Sequence, residues 1–339
     1  KFEALFGPPR DPKAPFVTGE FGDELDQDPQ LRRSSRHYAD IAASIQRVTE
    51  EVMLGLARAL YDETKIPRLC LAGGVAYNSA ANGRIMRETP FQEIFLQPAA
   101  GDSGGALGAA LYAYHVLLKR PRAFVMQHAY WGQAFDEDAI AQALAQRGLA
   151  ATRYAGEREV IDRTVRHLVQ GHVVGWYQGR CEWGPRALGN RSILADPRRR
   201  DMKAIANQKI KFREPFRPFA PSILDRSIPQ YADYPIQKGL APARFMLAVS
   251  PIWPQRRETI PAVTHVDGTG RLQAVERSAN PLYYDLIEAF ERDTGVPVVL
   301  NTSFNLKGEP IVNSPEEAIS TFLRSDMDAL VMGSQVVTK

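Results

Sequence analysis

Two hydrophobic periods alternate along this chain, and the switches between them mark its elements. Over residues 37–64 the apolar positions Ile41, Ile45, Val48, Val52, Leu56 and Leu60 recur three or four residues apart, which predicts one long amphipathic helix. Short apolar runs follow at 68–72, 94–98, 173–177, 245–249, 296–300 and 329–332, bounded by Gly, Pro or Asp, and read as buried strands. Helical spacing returns at 76–87, 106–118, 136–147, 158–170, 201–209, 281–294 and 314–324. Pro215, Pro218 and Pro221 punctuate an extended segment, and 257–277 reads as a loop with a strand around His265-Val266-Asp267-Gly268. Strand, glycine turn and helix succeed one another repeatedly, so the fold class expected is α/β.

Pro, Asp and Gly dominate residues 1–35, which read as an irregular linker. The cluster Lys119-Arg120-Pro121-Arg122 marks a boundary, giving a first unit at 36–122 and a second at 123–339. A length of 339 residues suffices for both. The chain opens on Lys1 and not on Met, and reads as a piece of a longer protein.

Composition changes the picture only locally. A net charge of +3 is too small to argue for nucleic acid as a partner. Arg and Lys nevertheless crowd into residues 180–217, so the charge describes a site more than a field. Cys70 and Cys181 form neither a disulfide framework nor a metal pattern, which fits the cytoplasm. No apolar run approaches the roughly 18 residues of a membrane span, and no secretory signal pattern is visible.

The densest chemistry lies in Gly179-Arg180-Cys181-Glu182-Trp183-Gly184-Pro185-Arg186-Ala187-Leu188-Gly189-Asn190-Arg191-Ser192, directly after a strand. Arginine forks on a rigid turn at a strand end suit phosphates and carboxylates. Further cations and amides follow at Asn207, Lys209, Lys211, Arg213, Arg217, Arg271 and Gln273, and then in Asn301-Thr302-Ser303-Phe304-Asn305. Such groups on separate segments can hold a triphosphate or an acyl phosphate if the fold makes them converge. Glu182 reads as the orienter of Arg180 or Arg186. His265 reads equally as an acid–base group and as a loop histidine. Cys181 has no base beside it in sequence and reads as structural, and Trp183 as packing. In the first unit Gly73-Gly74, followed by Asn78, and Gly101-Asp102-Ser103-Gly104-Gly105 are turns whose backbone N–H groups can cradle phosphate. Asp102 could hold a metal ion, such as the Mg²⁺ of a nucleotide, or cap a helix.

Leu71-Ala72-Gly73-Gly74-Val75-Ala76-Tyr77-Asn78-Ser79 and Gly101 to Ala110 resemble the second half of an ASKHA, or actin-like ATPase, domain. From about residue 37 onward the chain resembles the nodulation- and antibiotic-type O-carbamoyltransferases. The carrying segments are Gly175 to Arg180, Gly184 to Arg198, Arg217 to Ser222, His265 to Gly268 and Asn301 to Asn305. The resemblance implies the C-terminal half of an ASKHA domain followed by a YrdC-like α/β domain. The latter would make carbamoyladenylate from carbamoyl phosphate and ATP, and the former would pass the carbamoyl group to a hydroxyl of a small-molecule acceptor.

On that resemblance Arg186, Lys211 and Arg217 bind phosphates, supported by Arg180, Arg191, Arg213 and Glu182. Arg271, Asn301, Ser303 and Asn305 hold the adenylate, and Gly73, Gly74, Asn78 and Gly104 cradle nucleotide. Asp102 would be one ligand of Fe²⁺ or another divalent metal. The HxxxH pair that completes such a site in the family does not occur among the six histidines here. A homodimer is an expected assembly, with neither nucleic acid nor membrane as a partner. A small-molecule kinase and a tRNA-threonylcarbamoylation-like protein are the alternative readings.

Overall fold

A computed structural model of the chain describes residues 1–17, 27–211 and 216–339. Arg213 lies outside the described residues. The long helix begins earlier than the spacing predicts, at Pro29, and runs to Thr64. Asp28 accepts the N–H groups of Gln30 and Leu31 and Pro29 sits in the first turn, so an N-cap inside the expected linker starts it. It buries Leu54 and Ala57, whereas Ile45, Val48, Val52 and Leu56, which carry the periodicity, are more than half exposed. A short exposed helix, Phe2–Phe6, also falls within the expected linker.

Behind the long helix, β1 (Arg68–Leu71) and β2 (Glu93–Leu96) form a parallel pair joined by the helix Ser79–Glu88. The helix expected over 106–118 is Gly104–Tyr112, continued by a π turn at Ala113–Leu117. This front unit is tied to the rest of the chain by buried and part-buried hydrogen bonds. Asn82 Nδ2 donates to the carbonyl of Leu247 at 2.9 Å, and Lys238 Nζ to that of Thr89 at 2.8 Å.

The remaining strands are β3 (Thr152–Arg153), β4 (Val174–Tyr177), β5 (Arg191–Ala195), β6 (Ala220–Leu224), β7 (Val249–Pro251), β8 (Thr269–Arg271), β9 (Gln273–Val275), β10 (Val298–Ser303), β11 (Ala329–Met332) and β12 (Gln335–Thr338). Eight of them form a mixed sheet in the order β3-β12-β11-β4-β5-β10-β6-β9, in which only β4–β11 and β6–β9 are parallel. Every position of β4, β5, β6 and β11 is buried, so both faces of the central sheet are covered. Helix Glu157–Val169 packs on Pro281–Thr294, and Glu137–Gln146 on Pro315–Leu323. The last of these begins with a capping box between Ser314 and Glu317.

Three expectations for this half fail. His265-Val266-Asp267-Gly268 is a turn closed by the Gly268 N–H on the His265 carbonyl, and the strand expected around it starts only at Thr269. Residues 245–248 are buried, but the chain turns there, with Met246 at φ 55°, and the strand starts only at Val249. A short apolar run records burial and not conformation. Residues 201–209 are helical only over Met202–Ala206, and a π turn, Asn207–Lys211, follows. No helix among the described residues is long and apolar enough to cross a membrane.

Candidate active site

Strands β4 and β5 are antiparallel neighbours, and the arginine-rich segment is the long loop between them. Its last residues belong to β5 itself, where Arg191 pairs with Tyr177 and Ser192 with Trp176. A buried carboxylate organises the loop. Glu182 Oε1 accepts backbone N–H groups from Leu188 at 2.7 Å, Asn190 at 2.9 Å and Arg191 at 3.3 Å. Burial raises the Glu182 carboxyl above the usual carboxylate range, against the pull of these N–H groups and of Arg191. Glu182 therefore holds the loop backbone, and no hydrogen bond joins it to the side chain of Arg180 or Arg186.

Gly189 fixes the loop from the other side. Its φ is 107°, and a Cβ there would enter the ring of Tyr283. Gly184, at φ 130°, brings the loop so close to β2 that a Cβ would lie 2.6 Å from the Pro98 carbonyl oxygen. The arginine loop of the second unit thus rests on the segment leading to Gly101–Gly105 in the first.

The three arginines of the loop have different fates. Arg191 is fully buried, with Nη1 donating to the carbonyls of Gln178 and Asn190 and Nη2 to those of Gly179 and Gln133. Its guanidinium stacks 3.7 Å from the centroid of Tyr177. Arg180 is exposed, and its backbone carbonyl receives Asn190 Nδ2 at 2.8 Å. Arg186 is half-buried near Tyr77, its Nε is buried, and its guanidinium forms no hydrogen bond or ion pair with the described residues. Burial lowers its proton affinity, which makes an anionic ligand the natural partner for its charge.

A second cluster forms where β10 ends. Lys211 is buried, and its Nζ donates to Ser303 O at 2.6 Å, Asn305 Oδ1 at 2.7 Å and Asn305 O at 2.9 Å, with Ser303 Oγ at 3.3 Å. Two residues back along β10, Asn301 Nδ2 meets Gln273 Oε1 at 2.9 Å, Ser222 Oγ at 3.0 Å and Ala187 O at 3.2 Å. Asn301 therefore joins the arginine loop, β6 and β9 at one end of the sheet: its partner Ala187 follows Arg186, and its partner Gln273 lies two residues after Arg271. Lys209 is instead held by Asp328, at 2.7 Å, away from this cluster. Arg217 is exposed just after residues 212–215.

The candidate residues of the first unit are mostly engaged in their own turns. The Gly73 N–H donates to Ala100 O at 2.7 Å, and Gly74 opens a single 3₁₀ turn, Gly74–Tyr77. Asn78 caps the helix Ser79–Glu88 and pairs with Gln46. Gly104 passes too close to the Ala99 carbonyl for any side chain. Asp102 is exposed, and no group of three His, Cys, Asp or Glu side chains gathers around a metal position among the described residues. One carboxylate does not make a metal site, so a metal ion here would need donors from outside the described residues.

Sequence reasoning missed the polar layer beneath the loop. Asn280 Nδ2 donates to Asn190 Oδ1 at 2.9 Å and reaches Tyr130 Oη at 3.1 Å, while Tyr130 Oη donates to Leu188 O at 2.8 Å. Gln273, which the sequence did single out, joins this layer by donating Nε2 to Leu188 O. The one available signal was Asn280-Pro281 at a helix start, which reads as a cap alone. Trp183 lies with Trp131, Phe124, Leu107 and Leu111 around an apolar cleft of about 470 Å³ between the loop and the helix Gly104–Tyr112.

Both parts of the chain match known protein families. Residues 165–339 match the family described as Carbamoyltransferase C-terminus, and residues 20–111 match Carbamoyltransferase N-terminus. The chain is 41% identical over its whole length to an uncharacterized protein of Synechocystis, of which it covers 56%. It is 44% identical over 90% of its length to the nodulation protein NolNO of Sinorhizobium fredii, covering 45% of that protein. It is 32% identical over 74% of its length to the 3'-hydroxymethylcephem-O-carbamoyltransferase of Amycolatopsis lactamdurans, again covering 45%. The chain thus spans about half the length of the curated relatives it matches, and on the match over its C-terminal half it belongs to the carbamoyltransferase family.

Proposed function

We propose that this chain is the back portion of an ATP-dependent O-carbamoyltransferase. Residues 36–122 would be half of an ASKHA-like transfer domain and 123–339 a YrdC-like domain that activates the carbamoyl group. Carbamoyl phosphate, ATP and water give carbamoyladenylate, inorganic phosphate and pyrophosphate. A hydroxyl oxygen of the acceptor then bonds to the carbamoyl carbon, the bond to AMP breaks, and the hydroxyl proton is released. The name of the cephem relative specifies a hydroxymethyl acceptor, and a small-molecule hydroxyl is proposed here on that ground.

The observation that carries this reading is Arg186, a half-buried guanidinium without a hydrogen bond or ion pair from the described residues, on a loop braced by Glu182. Arg186 neutralises phosphate charge, while Lys211 fixes the Ser303–Asn305 turn and leaves its positive charge beside it. Arg191 acts through the loop and does not touch substrate. Asp102 would contribute one oxygen to a metal completed from elsewhere, and no step here depends on that metal.

The test is pyrophosphate release from ATP by this chain, with and without carbamoyl phosphate and with no acceptor. Release that requires carbamoyl phosphate supports activation in the second unit. Release of ADP in place of AMP and pyrophosphate overturns it in favour of a kinase.

A further inference from the structure

His265 is part of a hydrogen-bond chain that fixes its tautomer. Thr269 Oγ1 donates to Asp267 Oδ1 at 2.7 Å, and the Thr269 N–H donates to the same oxygen at 3.0 Å. The single hydroxyl proton of Thr269 is thereby committed. His265 Nδ1 lies 3.0 Å from Thr269 Oγ1, so Nδ1 must carry the proton and donate it to that oxygen. Nε2 is then a bare acceptor. It is buried, and no group of the described residues hydrogen-bonds to it.

The surroundings keep the ring neutral. Burial, followed by the nearby cations Arg271 and Lys203, outweighs Asp267 and lowers the imidazole to about 4. A bare Nε2 lone pair has no hydrogen to give a ligand oxygen, while Arg271 and Lys203 add positive potential around it. This combination suits a ligand that offers an N–H or O–H next to its own negative charge. The turn is held in register by His265 N–H to Thr269 O at 2.8 Å and Gly268 N–H to His265 O at 2.9 Å. Arg257 fills the space beside Gly268, where any Cβ would strike its guanidinium.

Resting on the proposed function, we infer that His265 Nε2 accepts an amide hydrogen of the carbamoyl group, and so selects carbamoyl phosphate over acyl phosphates that lack this N–H. Carbamoyl phosphate carries an amide and a phosphate a few bonds apart, which matches one acceptor flanked by cations. A site built to receive a donor penalises an analogue lacking it, because the buried acceptor is left bare.

The test compares binding of carbamoyl phosphate and acetyl phosphate to this chain by calorimetry, for the unaltered protein, His265→Gln and His265→Leu. The unaltered chain should prefer carbamoyl phosphate by roughly tenfold to a hundredfold. His265→Gln keeps an acceptor near the Nε2 position and should retain most of that preference. His265→Leu should lose it, mainly through weaker carbamoyl phosphate binding, with acetyl phosphate affinity little changed. Equal affinities in the unaltered chain, or an unchanged preference in His265→Leu, overturn the inference while leaving the proposed function standing. A failure of His265→Leu to fold leaves the unaltered chain and His265→Gln to decide, since loss of the preference in His265→Gln is also contrary. Titration with ATP and 2'-deoxyATP covers the other donor in the reaction. If His265→Leu erases discrimination there instead, the ring reads a ribose hydroxyl and the inference is wrong. No carbamoyl phosphate binding by the unaltered chain would remove the proposed function itself.

Discussion

Glu182 Oε1 lies 2.7 Å from the amide nitrogen of Leu188 and also receives the N–H groups of Asn190 and Arg191, so one buried carboxylate holds three backbone donors of the arginine loop. Truncation strands those donors, and each costs about 1–3 kcal/mol when left unsatisfied. Glu182→Ala should therefore lose about 3 kcal/mol or more in urea unfolding. Glu182→Gln retains an acceptor and should stay folded. Because burial raises the folded-state proton affinity of Glu182, its contribution is fully present at acid pH and is lost as pH rises through the raised value. Unfolding curves at several pH values should show Glu182→Gln gaining on the unaltered protein as pH climbs past the ordinary carboxylate range. Parallel pH dependences would contradict the assignment.

Arg186 and Arg191 stand five positions apart and should separate cleanly by experiment. Arg191 donates to four carbonyls and stacks on Tyr177, a geometry that lysine cannot reproduce. Arg191→Lys should cost about 2–4 kcal/mol in thermal unfolding and reduce activity along with the folded fraction. Arg186 has no such partners, so Arg186→Ala should leave the melting temperature nearly unchanged. Pyrophosphate release should nevertheless fall by about a hundredfold or more. A marked loss of stability in Arg186→Ala would move that residue from the site to the scaffold.

That separation also shows where the sequence was legible. The strands at Val174–Tyr177, Val298–Ser303 and Ala329–Met332 follow from apolar runs, and the helix Pro281–Thr294 from its periodicity. Strand β5 was hidden because Arg191 and Ser192 are polar yet wholly buried, satisfied chiefly by backbone groups of the loop between Gln178 and Asn190 once it folds back on itself. That folding back has no local sequence pattern, so the three arginines of one loop look equivalent. The joining of the Ser303–Asn305 turn to Lys211, and of Asn301 to Gln273 and Ser222, depends on strand order, which no local pattern encodes.

Cys181 sits inside the loop but is chemically muted. Its thiol is pushed up to about 11, first by burial and then by the Glu182 carboxylate, whereas Cys70 is exposed. At pH 8 a thiol-alkylating reagent should modify Cys70 rapidly and Cys181 slowly, as read by peptide mass spectrometry. Cys181→Ser should keep carbamoyl-phosphate-dependent pyrophosphate release. Rapid alkylation of Cys181 with parallel loss of activity would instead point to a nucleophile.

Lys211 tests whether the end of β10 works as a charge or as a brace. An ammonium group has three hydrogens, and four oxygens of Ser303 and Asn305 surround this one, so the turn closes on the lysine from both ends. Asn305 in turn donates to Glu309 O at 2.6 Å, which carries the constraint onward into the following loop. Lys211→Met should therefore abolish pyrophosphate release and raise amide hydrogen exchange across residues 303–309, with the sheet core still protected. Lys211→Arg keeps the charge but replaces a compact donor with a planar fork, and should restore little activity. If Lys211→Arg restores activity while exchange at 303–309 stays high, the positive charge alone is what the reaction needs.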